Sequence, residues 1–178
     1  VYILIISMIQ SFSHILISWY KSNKRDLPWR KTDDPYKIWI SEIILQQTRV
    51  KFAIDYYKKF IEKFPTIEAL SDAKEDEVLN SWQGLGYYSR ARNIHHTSKI
   101  LKEKYSSNFP NKYDEIITLK GIGKYTAGAI LSFAFKKKFP VVDGNVFRFF
   151  SRLFFIEKFI DTAKGQNYFY NVAEDLIC

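Results

Sequence analysis

Two acidic residues and one glycine-bracketed turn carry the chemistry that this sequence could perform. Glu42 lies inside IWISEIIL, flanked by large apolar residues on a segment with helical periodicity. A carboxylate there is either on a narrow solvent stripe or partly buried with a raised pKa, and burial suits a general acid near neutrality. Asp143 opens VDGNVFRFF, 20 residues beyond Gly123. Aspartate at a helix start is ordinarily an N-cap, and a lone glutamate in an apolar run is ordinarily structural. Two carboxyls of unequal pKa, one protonated and one ionised, are what cleavage of a glycosidic bond needs where they share a site. One carboxyl protonates the leaving group, and the other supports the positive charge developing on the sugar.

The turn is LKGIGKYTAGAI, residues 119–130. Gly121 and Gly123 permit conformations that a Cβ forbids and let the main chain approach a neighbour closely. The amides opening the following helix are unpaired and carry the positive end of its dipole, so a phosphate fits there. Lys120 and Lys124 add charge, and Thr126 adds a hydroxyl donor. The simpler alternative is an αα-hairpin whose glycines only allow close packing.

These residues must be positioned by helices, because no alternating strand run occurs. Residues 11–22 read as an amphipathic helix packed on the core through Ile15, Leu16, Trp19 and Tyr20. The first ten residues are unassigned, either an extension of that helix or an anchor; Ser7 and Gln10 within them argue for the extension. A loop, DLPWRKTDDP, leads into YKIWISEIILQQTRVKFAIDYYKKFIEKF, apolar at i, i+3 and i+4 until Pro65. Thr66 and Ser71 are each placed to cap a short helix. QGLGYYSRARNIHHTSKILKEKY has a glycine-rich entry and then a long amphipathic pattern. YDEIITL precedes the hairpin, VVDGNVFRFFSRLFF follows it, and a last helix spans about 164–177. The fold class is all-α, with nine or ten helices.

Composition sets the outer bounds. Apolar residues make up 47% and aromatics 17% of 178 residues, which excludes a disordered chain. The formal charge of +8 favours an anionic partner such as nucleic acid. Cys178 is the only cysteine, so no disulfide, zinc site or cysteine-ligated cluster can be completed within this chain. An intracellular, reducing compartment fits. His95 and His96 have no partner at metal-ligand spacing and read as ordinary helix residues.

Four motifs in order, SEIILQQTRV, GLGYYSRARN, LKGIGKYTAGAI and VVDGNV, resemble the helix-hairpin-helix-GPD DNA glycosylases, and within them the adenine DNA glycosylase (MutY-type) branch. The resemblance covers about residues 11–177. It implies two helical lobes with the active-site cleft between them and a catalytic region over 11–178, with the hairpin at about 113–135. It implies a monomer that grips duplex DNA containing a mispaired adenine, with no membrane partner and a nucleoid location. Hairpin main-chain carbonyls would hold a monovalent cation.

The resemblance also assigns roles. Glu42 protonates the adenine ring and then helps to activate water; Asp143 stabilises the oxocarbenium-like state. Asn145 and Tyr125 support these carboxylates. Bifunctional relatives carry a Schiff-base lysine where this chain has Tyr125, so a monofunctional glycosylase is expected. Arg25, Trp29, Arg30 and Leu45 belong to the adenine pocket, although Trp29 could instead be a core plug. Tyr87, beside Tyr88, would wedge between bases as the adenine flips out, and Gln47, near Gln46 and Thr48, matches a second intercalating residue. Core packing is the alternative for Tyr87 and Tyr88. Arg90, Arg92 and Lys136 to Lys138 are candidate phosphate contacts, without a specific role for the lysine run.

The family continues into a four-cysteine [4Fe-4S] region and a domain that recognises the opposing 8-oxoguanine. Neither is expected in these residues, and a cluster is implied only if the protein continues past Cys178. Two alternatives stay open. One is a mismatch glycosylase of the same superfamily acting on another base. The other is a non-catalytic helix-hairpin-helix DNA-binding protein.

Overall fold

The computed structural model describes residues 2–177, with side chains from Phe12 onward; Val1 and Cys178 lie outside the described residues. The described residues are helical and turn-forming, with no strand among them. The chain divides into two compact units, Leu27–Lys137 and a second unit formed by Val1–Asp26 with Lys138–Cys178.

The larger unit is built around α2 (Pro35–Leu45). Asp34 caps it by accepting the Tyr36 amide at 2.9 Å, and Pro35 supplies a preset first-turn φ. Every residue from Ile38 to Ile44 is buried, so α2 runs through the core with no wet face. The Tyr36 hydroxyl donates to the Phe64 carbonyl at 2.7 Å, tying the start of α2 to the end of α3 (Val50–Lys63). Burial and the Asp34 charge push the Tyr36 phenol well above its ordinary pKa, so it stays a donor.

The long pattern from Tyr36 to Phe64 is therefore two helices, not one. The break falls at Gln46–Arg49, where Gln47 takes φ +60 and the Thr48 amide turns back to the Leu45 carbonyl. Apolar periodicity continues across the break because both helices bury a face in the same core.

Thr66 caps α4 (Ile67–Asp72) by accepting the Ala69 amide at 3.2 Å. Ser71 caps nothing: it lies inside α4 and its hydroxyl donates to the Glu68 carbonyl. The next helix, α5 (Glu75–Ser81), opens instead at Lys74, whose amide is accepted by the Glu77 carboxylate at 2.9 Å. Three acidic residues in its first turn suit the helix dipole. Helix α6 (Ser89–Tyr105) packs on α4 and α5. Trp39, Phe60, Trp82, Leu70, Ile94 and Leu101 are fully buried in this unit. Then come α7 (Tyr113–Ile116) and α8 (Lys124–Ala129), which runs into a π-helical turn at Ile130–Ala134.

The smaller unit comprises α1 (Tyr2–Asn23), α9 (Gly144–Phe154) and α10 (Ala163–Leu176). Val142, Phe150, Phe169, Tyr170 and Ala173 form its core. Helix α1 begins at Tyr2, so the unassigned first residues continue the helix expected over 11–22. It meets this unit through Phe12, which lies 6.2 Å from Phe149 and 6.1 Å from Phe154, and through Ser13, which donates to the Leu176 carbonyl at 2.9 Å. The face expected to pack is a different one: Ile15, Leu16, Trp19 and Tyr20 are all exposed. Periodicity says which residues share a face but not which face finds a partner. No described helix is long and apolar enough to cross a membrane.

Candidate functional site

In the larger unit, α7, the turn 117–123 and α8 form the hairpin expected from LKGIGKYTAGAI. The two glycines do different work. Gly121 has φ +81, and a Cβ there would lie 2.8 Å from Asn93 Cβ, so both backbone and packing require glycine. Gly123 is the N-cap of α8 in an extended conformation that any residue adopts, and nothing lies within 4 Å of where its Cβ would be. Its glycine leaves the main chain bare rather than relieving strain. No side chain caps the first turn of α8.

Lys120 and Lys124 are exposed around the turn, whereas Thr126 is 2% exposed. Burial places the Thr126 hydroxyl beneath the surface of the turn. Thr97, itself buried on α6, donates to the Lys120 carbonyl at 2.8 Å and fixes the turn to that helix. The Gly123 carbonyl accepts the Ala127 amide. Each of these oxygens keeps a second lone pair, the type of donor a hard monovalent cation takes.

Helix α2 packs directly on α8 and on the π-helical turn. Glu42 is 8% exposed on α2, between Ser41 and Ile43, which are more deeply buried still. This removes the solvent-stripe alternative. Tyr125 is half-buried on α8. Upstream, Trp29 stands in a 3₁₀ turn (Pro28–Arg30) with its ring edge-on to Tyr57, centroids 5.4 Å apart. Trp29 thus has the packing partner of a core plug while remaining half-buried. Arg30 is exposed and Leu45 half-buried. Arg25 is exposed in the other unit.

Two turns present the remaining candidates. Gln46 and Gln47 are exposed, Thr48 is half-buried, and Gln47 has φ +60. In the second turn Gly84 (φ +93), Gly86 (φ +68) and Tyr87 (φ +47) are all left-handed. A Cβ on Gly84 would lie 2.2 Å from the Tyr56 hydroxyl. Tyr87 is 66% exposed and Tyr88 39%, so core packing does not account for Tyr87. A non-glycine residue held left-handed costs about 1–3 kcal/mol, and such strain persists only where its surroundings enforce it.

Arg90 is part of those surroundings, and its expected role as a phosphate contact is corrected. Its guanidinium donates to the carbonyls of Ile43 (2.8 Å), Gln46 (2.5 Å), Leu85 (3.1 Å) and Gly86 (3.3 Å). Burial lowers its pKa from the usual arginine value. Sequence offered no signal for this, because the partners are backbone oxygens, two of them more than 40 residues away. Arg92 is paired with Glu75 at 3.2 Å, and Lys136 with Asp33 at 2.6 Å and the Phe133 carbonyl at 2.8 Å. Lys137 donates to the Asn111 carbonyl.

In the smaller unit Asp143 is the N-cap of α9. One carboxylate oxygen accepts the Asn145 and Val146 amides, both at 2.9 Å, and the other accepts the Asn145 side-chain amide at 3.0 Å. Asn145 in turn accepts from Arg148 at 2.9 Å. The capping role is therefore real, and it also fixes the direction of the carboxylate.

The sequence family described as HhH-GPD superfamily base excision DNA repair protein matches residues 40–172, which contain Glu42, both turns, the hairpin and Asp143. The chain belongs to that superfamily. Among HhH-GPD relatives, the adenine DNA glycosylase of Buchnera aphidicola subsp. Acyrthosiphon pisum (strain APS) is 46% identical over 166 residues, covering 93% of this chain and 47% of the relative. That of Buchnera aphidicola subsp. Baizongia pistaciae (strain Bp) is 54% identical over 146 residues, covering 82% and 42%. The human adenine DNA glycosylase is 40% identical over 157 residues, covering 83% and 29%. The chain thus spans less than half the length of these relatives. Among solved structures, a thermostable thymine-DNA glycosylase superimposes with TM-score 0.86 at 28% identity, covering 96% of this chain and 78% of that one. Endonuclease III trapped in a covalent intermediate with DNA has TM-score 0.74 at 21% identity, covering 97% and 84%, a likeness of fold alone.

A cysteine-ligated cluster does not fit these residues. Cys178 is the only cysteine, and among the described residues no three His, Cys, Asp or Glu side chains gather as metal ligands.

Proposed function

We propose that this chain is the catalytic region of a monofunctional adenine DNA glycosylase, which removes adenine mispaired with 8-oxoguanine or guanine in base excision repair. One observation carries the reading: Glu42, a carboxyl 8% exposed, sits on a helix packed against the hairpin helix, inside the segment that matches the superfamily. The similarity to adenine DNA glycosylases supports the choice of base.

The duplex is held at the glycine turn of the hairpin, where the exposed main chain of Gly123 lets a phosphate approach and Lys120 and Lys124 add charge. Tyr87 and Gln47 enter the stack while adenine leaves it. Arg25, Trp29, Arg30 and Leu45 hold the extruded base. Glu42 then gives a proton to the adenine ring, and the C1′–N9 bond breaks with its electron pair passing to the base. The Asp143 carboxylate, oriented by the α9 amides and Asn145, stabilises the positive sugar. Water adds to C1′ and returns a proton to Glu42, which restores the acid. Tyr125 is no amine nucleophile, so no Schiff base forms and the strand is not nicked.

The test is to identify the base released from duplexes containing adenine opposite 8-oxoguanine, adenine opposite guanine, or thymine opposite guanine. Adenine from the first two, with no strand break before alkali, supports the reading. Thymine from the third supports the second reading, a pyrimidine-mismatch glycosylase, which the likeness to a thymine-DNA glycosylase favours. Duplex binding without release contradicts both and indicates a non-catalytic DNA-binding protein.

A further inference from the structure

We propose that Arg90 is a positioning residue that sets, from a single guanidinium, both of the turns that enter DNA in the reading above. The inference rests on that reading for the word DNA, but its geometry stands alone. Gln47 and Tyr87, the two residues assigned to the base stack, both have left-handed backbones. Arg90 holds the carbonyl immediately before each of them, that of Gln46 before Gln47 and that of Gly86 before Tyr87. It also holds a second carbonyl on each side, Ile43 on α2 and Leu85 in the glycine turn.

The planar fork explains the choice of residue. One terminal nitrogen serves the α2 side and the other serves the glycine turn, a division that the compact ammonium of lysine cannot reproduce. The guanidinium carbon also lies 5.4 Å from the Trp82 ring centroid and 5.7 Å from that of Tyr87, the residue whose side chain would wedge. The Trp82 indole donates to the same Gly86 carbonyl at 3.1 Å, which reinforces the turn from beneath. Arg90 further lines a cavity of about 20 Å³ with Asn93, Lys120 and Gly121, room for one water between the clamp and the hairpin turn. Both terminal nitrogens of the guanidinium are thus committed to backbone carbonyls, while its Nε is buried without a hydrogen-bond partner. Its contribution to catalysis is to keep two wedges in one register before DNA arrives.

The test uses the unaltered protein, Arg90→Lys and Arg90→Gln. Amide hydrogen exchange needs no substrate. Residues 46–49 and 84–88 should exchange at least tenfold faster in both variants, with α8 and the core of α2 unchanged. With 2-aminopurine in place of the target adenine, the fluorescence rise on unstacking should fall at least fivefold, while duplex Kd changes less than threefold. A folded variant with wild-type exchange in either turn overturns the shared clamp, as does a loss of duplex binding that matches the loss of unstacking. Should neither variant fold, the wild-type Arg90 guanidinium N–H signals decide. Slow exchange before duplex is added supports the clamp, and protection that appears only with duplex overturns it. Absence of unstacking by the wild type would refute the DNA reading, and the exchange result would still judge the clamp.

Discussion

Asp143 holds a helix end and, in the proposed reaction, a sugar cation, and conservative substitution separates the two. Asparagine keeps an oxygen for the Asn145 and Val146 amides but lacks the charge and the acceptor for the exposed Asn145 side chain, so Asp143→Asn should retain most of the thermal stability and lose adenine release. Asp143→Ala should lose release and also about 1 kcal/mol of stability, the usual value of an N-cap. Thermal melts beside release assays check both. His95 tests stability by itself. It is 3% exposed, and its Nε2–H donates to the Ala73 carbonyl at 2.9 Å. Burial first, and then the Lys99 charge, depress its pKa. The unfolded chain, with an ordinary His pKa of about 6.5, therefore binds a proton that the folded chain refuses. This contribution to stability is complete above about pH 6.5 and is lost as pH falls toward the depressed value. Melting temperature should drop over that interval, and His95→Gln should flatten the drop. The sequence exposed Glu42 and Asp143 as acids in the right kinds of segment. It did not expose Arg90 or the buried state of His95, because each is defined by backbone carbonyls that no side-chain pattern encodes.

At the scale of elements, the hairpin gives a paired prediction. Gly121→Ala meets both a left-handed φ and Asn93 Cβ, so it should destabilise the fold by about 1–3 kcal/mol. Gly123→Ala meets neither obstacle and should cost less than about 1 kcal/mol. If the bare amide is where a phosphate approaches, Gly123→Ala should still weaken duplex binding several-fold at unchanged salt. Melting curves and duplex titrations separate the two effects. Helix types were legible because apolar spacing and hydroxyl or acidic caps are local signals, as at Thr66 and Asp143. The break at Gln46–Arg49 was not, because both flanking helices bury a face in one core and the apolar spacing runs on. Ser71 misled for a related reason: a serine hydroxyl bonds as readily to a carbonyl within a helix as to an amide at its start.

For the molecule as a whole, the +8 charge and the all-helical order of motifs agree with membership of a DNA-repair superfamily. The apolar spacing of α1 identified a helix but not its partner, and its Ile15 to Tyr20 face remains exposed. A DNA-binding reading needs only the charge and the hairpin, whereas the proposed chemistry also needs the buried acid. The most direct test is therefore single-turnover adenine release from a duplex with adenine opposite 8-oxoguanine, comparing wild type with Glu42→Gln. Wild type should release adenine and the variant should fall by at least about a hundredfold, the usual contribution of a general acid, at unchanged duplex affinity. Release by Glu42→Gln at the wild-type rate, or tight binding by wild type with no adenine released, would contradict the proposed chemistry.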